Sequence, residues 1–496
     1  MEGLFFTFSF IIFLSEIVIM KDSFKGKVLS GLFWQYFQRI ANQLVHFVVS
    51  IILARLLLPE DFGVVALIGI FITVSNIFID SGFGNALIQR KSVDELDTSS
   101  VFYANLSVGL FFYALLFVVS PLVAQYYHLP SLSNLLRVQA LQIIIMAFYC
   151  VQNAMLVRNM KFKINFYVNF TAVVVSSVVG ISLAYNGFGV WSLVFSQLSS
   201  QLVSCVGLWL LVRWRPKLIF SFNRLRSLFG YSSRILGGSL LHVIYNNVYN
   251  LVIGKQYSST QLGYYNRGQL IPTIIIDNAA NTINGVMFPA LSSIQEDKER
   301  FLSVVRKMVS IVAFIVFFIV SLMLPLSSDI ISLLLTDKWL PCVPFMQIVC
   351  VTVCFTPFIL INSAILTSLG ESGKYLKTTV ISKVISILLI LAASFVGIYY
   401  MVGAGCIAAI LSVAITGCWN KELIGYSQMM LLHDILPSMF LGCISACLVF
   451  LISLLKFDSF ITLLFGGIGG LIFYVVGACL FKFKQIQTFV EVIRKK

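Results

Sequence analysis

Residues 30–63 read SGLFWQYFQRIANQLVHFVVSIILARLLLPEDFG, an apolar run long enough to cross a bilayer that carries Arg39 near its start. A charge in hydrocarbon is expensive, so a residue of this kind turns toward a bundle interior or a wet cavity. The layout returns at residues 227–263, SLFGYSSRILGGSLLHVIYNNVYNLVIGKQYSSTQLG, where Arg234 stands 195 residues after Arg39. Acids follow suit: Asp80 closes Ile-Phe-Ile-Asp at 77–80 and Asp277 closes Ile-Ile-Ile-Asp at 274–277, an offset of 197. Gly63 and Gly263, which open the spans carrying these acids, are 200 apart. A duplicated Arg and Asp pair predicts a transporter of two related lobes.

The flanking sequence is of the same kind. Of 496 residues, 59% are hydrophobic and 11% charged, which excludes a soluble globular protein, where about 25% would be charged. The chain reads as an all-α polytopic membrane protein with fourteen apolar stretches of span length. They cover 31–57, 61–85, 99–124, 132–156, 164–185, 189–212, 230–254, 262–291, 306–335, 342–369, 375–398, 401–420, 435–455 and 459–481. The predicted organisation is a six-span N-lobe over 20–212, a basic linker at 213–229, a pseudo-symmetric six-span C-lobe over 230–420, two further spans within 421–481 and a basic tail at 482–496. Connections this short leave no room for an extramembrane catalytic or nucleotide-binding domain.

The net charge of +14 would suggest nucleic acid in a soluble protein, but its distribution makes it a topology signal. With the first connection placed inside, alternate connections carry 25 Lys and Arg residues, against Arg55, Lys255, Lys338 and Lys456 on the other side. This division places both termini in the cytoplasm with an even number of spans. Tyr126, Tyr127, Trp191, Trp339, Tyr399 and Tyr400 at outer ends, and Trp214, Tyr375 and Trp419 at inner ends, fit interfacial belts. Residues 1–19, MEGLFFTFSFIIFLSEIVI, lack a basic start and a small-residue cleavage site, so they do not read as a signal peptide. Met20 followed by Lys21, Lys25 and Lys27 reads as the start of the protein proper, residues 1–19 being a misassigned extension.

The linker RWRPKLIFSFNRLRSL at 213–228 predicts a short amphipathic helix lying on the membrane, with Leu218, Phe222 and Leu225 on one face and Lys217 and Arg224 off it. A topogenic linker without a binding role is the alternative. Within the spans, polar residues recur at helical steps. Gln35, Arg39, Asn42 or Gln43, His46 and Ser50 line the first, and Arg234, Gly238, His242, Asn246 and Asn250 the seventh. Thr73, Asn76, Asp80 and Gly84 line the second; Thr273, Asp277, Asn281 and Asn284 line the eighth. Polar stripes in hydrocarbon need partners, which a wet cleft between the lobes would supply. Competing readings are interhelical hydrogen-bonding for the amides, packing for His46 and His242, and snorkelling to the surface for the arginines, as expected of Arg137. The ten Cys residues form no C-x-x-C pair and read as small packing residues, with neither metal nor cofactor implied.

The segments GLFWQYFQRIANQLVHFVVSIILARLLLPEDFGVVAL (31–67), IDSGFGNALIQRK (79–91), QLGYYNRGQLIPT (261–273) and DKWLPCVPFMQI (337–348) resemble the Wzx-type polysaccharide exporters, in their WzxC-like branch. That family shares a superfamily with the lipid II flippases and the MATE multidrug exporters. The resemblance implies fourteen helices as two six-helix lobes plus a C-terminal pair. It also implies passage of an undecaprenyl-diphosphate-linked oligosaccharide from the inner to the outer leaflet of the bacterial cytoplasmic (inner) membrane, for surface polysaccharide such as O-antigen, capsule or exopolysaccharide.

From face and polarity, Arg39, Arg234 and Arg267 are candidate phosphate ligands, since guanidinium matches phosphate bidentately. Asn246, Asn250, Asn281 and Tyr264 are candidates for sugar hydroxyls. Asp80 and Asp277, with His46 and His242, would compensate charge or couple transport to H⁺ or Na⁺. Membrane lipids, a polysaccharide polymerase and a chain-length regulator are candidate partners. An ion-coupled multidrug exporter would favour an acidic cavity, whereas arginines dominate here; a lipid II flippase is a closer rival. A membrane-embedded polymerase or ligase would need a large periplasmic loop, and no catalytic constellation appears, so the chain reads as a non-enzyme.

Overall fold

The structure, a computed structural model, describes residues 24–79, 84–90, 92–455, 457–481 and 483; the expectation for residues 1–19 and the Met20 start lies outside them. The described residues form helices and no strand. The chain divides into two compact units, Met1–Asn250 and Leu251–Lys496.

In the first unit, α1 (Phe24–Leu56) is followed by α2 (Pro59–Ile79). Proline opens α2 where a missing N–H costs nothing, Glu60 and Asp61 sit at the positive end of its dipole, and the Asp61 carboxylate accepts from Leu58 N at 2.9 Å. The short α3 (Asn85–Gln89) leads to α4 (Glu95–Tyr126), whose start is a capping box: the Asp94 side chain accepts from Asp97 N, and the Asp97 side chain from Asp94 N. There follow α5 (Ser131–Gln139), α6 (Leu141–Arg158), α7 (Phe162–Tyr185), α8 (Val190–Leu211) and α9 (Phe222–Gln256), whose residues from Leu251 on belong to the second unit. The turn between α7 and α8 holds Gly187 at φ +79° and Gly189 at φ +52°, a region other residues enter only under strain. Small residues bring α7 and α8 together: a Cβ on Gly180 would stand 2.9 Å from Ser196 Oγ, which itself donates to Ser176 O.

The second unit contains α10 (Ser259–Ser292), α11 (Lys298–Met323), α12 (Ser327–Leu335), a 3-10 turn (Asp337–Cys342), α13 (Val343–Val353) and α14 (Thr356–Ser368). It continues with α15 (Ser372–Ser394), α16 (Ile398–Thr416), α17 (Asn420–Ile424), α18 (Gln428–Ser453) and α19 (Ser459–Leu480). Ser258, Asp297 and Ser427 cap α10, α11 and α18 by accepting from backbone N–H groups two or three residues into each helix.

Twelve helical segments among the described residues are long and apolar enough to cross a membrane, which makes this a multi-pass membrane protein. The two expected spans outside that set are α9 and α10, helices of 35 and 34 residues, long enough to cross. Their apolarity is diluted by His242, Asn246, Asn247 and Asn250 in one and by Asp277, Asn278, Asn281 and Asn284 in the other. Two other expectations need correction. The stretch 306–335 is not one span: α11 stops at Met323 and α12 begins at Ser327, because Pro325 cannot donate to the helix ladder. The linker is not an amphipathic helix either, since residues 212–221 are non-helical and α9 begins at Phe222. Leu225 is buried against Ala86, Leu87, Val101 and Phe102, whereas Leu218 is 94% exposed, so the two do not share a face.

The tightest backbone approach in the second unit is at Gly268 on α10. A Cβ there would lie 2.8 Å from Cys342 O, 2.9 Å from Phe345 Cβ and 3.0 Å from Met346 N. Backbone cannot yield as a side-chain tip can, so Gly268→Ala is expected to cost about 1–3 kcal/mol. Thermal melts in detergent would show a lowered midpoint, while Gly403→Ala, with nothing within 4 Å of its Cβ, should melt like the parent.

Candidate functional site

Helix α1 shows two exposed faces. Phe37, Ile40, Leu44 and Val48 recur at steps of three or four and form an apolar one. Roughly opposite, at about 100° per residue, stand Arg39 and His46, both exposed, flanked by the half-buried Asn42, Gln43 and Ser50. The helix is fixed by aromatic packing on α7: Trp34 and Phe37 ring centroids lie 5.3 and 5.2 Å from that of Phe166. One polar stripe and one apolar stripe on a single span suit a helix that meets lipid on one side and water or a polar cargo on the other.

On α9 the polar residues are linked along the helix. The Asn246 amide nitrogen lies 2.9 Å from His242 Nε2, and Asn250 Nδ2 donates to Asn247 Oδ1 at 3.2 Å. His242 and Asn246 are exposed and Asn250 is half-buried. Arg234 lies on helical backbone, but its side chain is outside the described part, as is that of Asn281; Asp80 falls outside it altogether.

On α10, the Tyr264 ring meets the edge of the fully buried Trp339 at 6.1 Å. Arg267, half-buried, precedes the Gly268 contact, so its backbone is held by the 3-10 turn and α13. Gln269 donates to Asn266 Oδ1 at 3.0 Å, and Thr273 Oγ1 to Gln269 O at 2.7 Å. Asp277 follows one turn later, half-buried. Guanidinium, amide and hydroxyl groups of this kind are what a phosphate and a sugar require, and none is a nucleophile paired with a base.

Sequence reasoning missed several polar constellations. Arg306 on α11 makes a two-bonded pair with Asp434 on α18, at 3.0 and 2.7 Å, and Tyr426 donates to the same carboxylate at 3.1 Å. In the first unit Gln139 donates to Gln197 at 2.6 Å, while the amides of the fully buried Asn105 and Gln152 have no hydrogen-bond partner among the described residues. Arg158, which served only as a topology signal, and Arg137 have local partners. Arg158 donates to the carbonyls of Leu87, Ile88 and Arg90 at the end of α3. Arg137, expected to snorkel, donates to Ser120 Oγ at 2.9 Å with its guanidinium over the Phe117 ring.

The 213–226 connection is fastened to the start of α4. Trp214 Nε1 donates to Thr98 Oγ1, Lys217 N to Ser99 Oγ and Ser221 N to Ser100 Oγ, at 3.1, 3.1 and 2.9 Å. Lys217 pairs with Glu95, Arg224 with Asp94 at 3.2 Å, and Arg90 with the buried Asp97 at 3.0 Å. The Asp97 backbone N–H, followed by the Arg224 guanidinium, holds the Asp94 carboxyl below the ordinary carboxylate range. A lowered carboxyl stabilises the fold above its unfolded value, about 3.9, and that contribution is lost as pH falls through the folded value. Asp94→Asn should therefore melt below the parent at pH 6–8, the gap closing as both are taken to about pH 3.

A family model described as polysaccharide biosynthesis protein matches residues 52–344. The succinoglycan biosynthesis transport protein ExoT of Rhizobium meliloti (strain 1021) is 28% identical over 267 residues, 54% of each chain. The lipopolysaccharide biosynthesis protein WzxC of Escherichia coli (strain K12) is 22% identical over 335 residues, 66% of this chain and 67% of that one. The match thus spans about half the length of the first relative and two thirds of the second. Among solved structures, the lipid II flippase MurJ in an inward closed conformation superimposes with a TM-score of 0.73 at 16% identity, covering 92% of this chain and 100% of that one, a likeness of fold.

Proposed function

The chain belongs to the polysaccharide biosynthesis protein family, and on that premise we propose that it is a flippase for lipid-linked oligosaccharides. Its cargo is an undecaprenyl-diphosphate-linked repeat unit, moved by alternating access from the inner to the outer leaflet of the bacterial inner membrane for surface polysaccharide synthesis. Both termini lie in the cytoplasm, and the protein performs no covalent chemistry. The observation that carries this reading is the family match over 52–344, joined by relatives named for succinoglycan transport and lipopolysaccharide biosynthesis.

The residues supply what such a cargo needs. A diphosphate bearing sugars cannot enter hydrocarbon, while its polyprenyl tail need not leave it. Arg39, Arg234 and Arg267 answer the phosphates, Asn246, Asn250, Asn281 and Tyr264 the hydroxyls. Asp80, Asp277, His46 and His242 balance the cations or pass an ion. The apolar face of α1 opposite its polar one offers the tail and the headgroup separate surfaces.

The test is complementation. In a strain whose own oligosaccharide flippase gene is deleted and whose repeat unit is that of the source organism, the chain should restore surface polysaccharide. Failure to restore it at verified membrane expression would set the reading aside.

A further inference from the structure

Where α6 and α8 end and α7 begins, the first unit holds a cavity of about 360 Å³. Leu156, Ile164 and Leu211 give it aliphatic walls, and Leu156 belongs to a buried cluster shared by the three helices. Asn159, Lys161 and Arg213 form an exposed rim. Neither Lys161 nor Arg213 pairs with a carboxylate among the described residues, and residues 154–168 and 205–216 contain no Asp or Glu. Three other basic residues of this unit, Arg90, Lys217 and Arg224, are each answered by an acid. The turn that presents Lys161 is fixed, with Met160 at φ +53° and Lys161 N donating to Leu156 O at 2.9 Å.

Position and shape identify the occupant. All three helices are of span length and apolarity, so the cavity opens where hydrocarbon gives way to headgroups. Leu211 is exposed as well as lining the cavity, so the aliphatic wall reaches the outer surface of the helices, a course for an acyl chain. A free anion would use the rim and ignore this wall. An oligosaccharide would need more hydrogen-bonding groups than Asn159 offers. We infer that the cavity binds the headgroup phosphate of an anionic glycerophospholipid between Lys161 and Arg213, with an acyl chain along Leu211. Basic pockets between membrane helices are suited to such headgroups. The site is distinct in chemistry from the polar faces of α1, α9 and α10, and does not depend on what those faces carry.

The experiment measures lipid retained by the full chain, as mass adducts, while phosphatidylglycerol is titrated against phosphatidylethanolamine with the same acyl chains. The parent should retain one phosphatidylglycerol in preference to phosphatidylethanolamine. Lys161→Gln with Arg213→Gln should weaken phosphatidylglycerol binding about thirtyfold, at roughly a tenfold or less loss per cation, and leave phosphatidylethanolamine unchanged. Lys161→Arg with Arg213→Lys should restore most of it. Lys298→Gln with Arg300→Gln, an exposed pair in the second unit, should behave like the parent. Three results would overturn the assignment: unchanged binding by the Gln pair, an equal loss from the Lys298 and Arg300 pair, or displacement of the lipid by millimolar inorganic phosphate, which would make this a site for free phosphate.

Discussion

Replacing Arg39 and Arg234 together with alanine is expected to abolish surface polysaccharide in the complementation assay, at unchanged membrane expression. A hydrogen-bonded contact to a charged group contributes about 1.5–3 kcal/mol, so each arginine alone should cost roughly tenfold to a hundredfold in transport and the pair at least a hundredfold. Arg39 is exposed on α1, opposite that helix's apolar stripe, so its loss leaves no large buried hole in the fold. Lysine at both positions should retain part of the activity, because the charge remains while the planar fork that grips phosphate with two bonds is lost. Full polysaccharide from the double alanine variant would return both arginines to the role of surface-seeking side chains.

The second large effect concerns stability. Arg306→Ala should lower the melting midpoint substantially, since Asp434 is buried and, among the described residues, would keep only the Tyr426 hydroxyl as a partner. Removing one member of a buried pair costs about 3–5 kcal/mol; Arg306 is 41% exposed, so the loss here should be nearer about 2 kcal/mol. Arg306→Met with Asp434→Leu should recover much of it, because no charge is then stranded. A double variant no better than Arg306→Ala would show that the pair acts through geometry that apolar packing cannot replace. The contact joins α11 to α18, so its loss should loosen the packing of these two helices first.

Hydropathy made the membrane fold legible, because a span must be apolar along its whole length whatever it packs against. Its signal weakens where a helix is rich in polar residues. The sequence marked α9 and α10 as spans, yet the same Asn, His and Asp residues that flag them as candidate cargo helices take them out of the set of plainly apolar ones. The linker shows the limit of periodicity. Leu218, Phe222 and Leu225 have helical spacing, but Pro216 disfavours a helical residue before it, and Thr98, Ser99 and Ser100 take the linker's donors, holding it non-helical. Arg39 and His46 could be found because polar groups in an apolar helix are rare. The Arg306 and Asp434 pair could not, since the partners are 128 residues apart and only the packing of α11 on α18 brings them together. Asn105 and Gln152 escaped for the same reason: burial depends on neighbours that the local sequence does not name.

The most direct test of the account is a leaflet assay in sealed proteoliposomes. A labelled undecaprenyl-diphosphate oligosaccharide is loaded in one leaflet, and its arrival in the other is read with a membrane-impermeant reagent. The account predicts transfer far faster than in protein-free vesicles, accelerated further when the starting side is made electrically negative. A dianionic headgroup then gains about 2.3 kcal/mol per charge per 100 mV. Transfer at the protein-free rate by folded protein, with or without the potential, would contradict it.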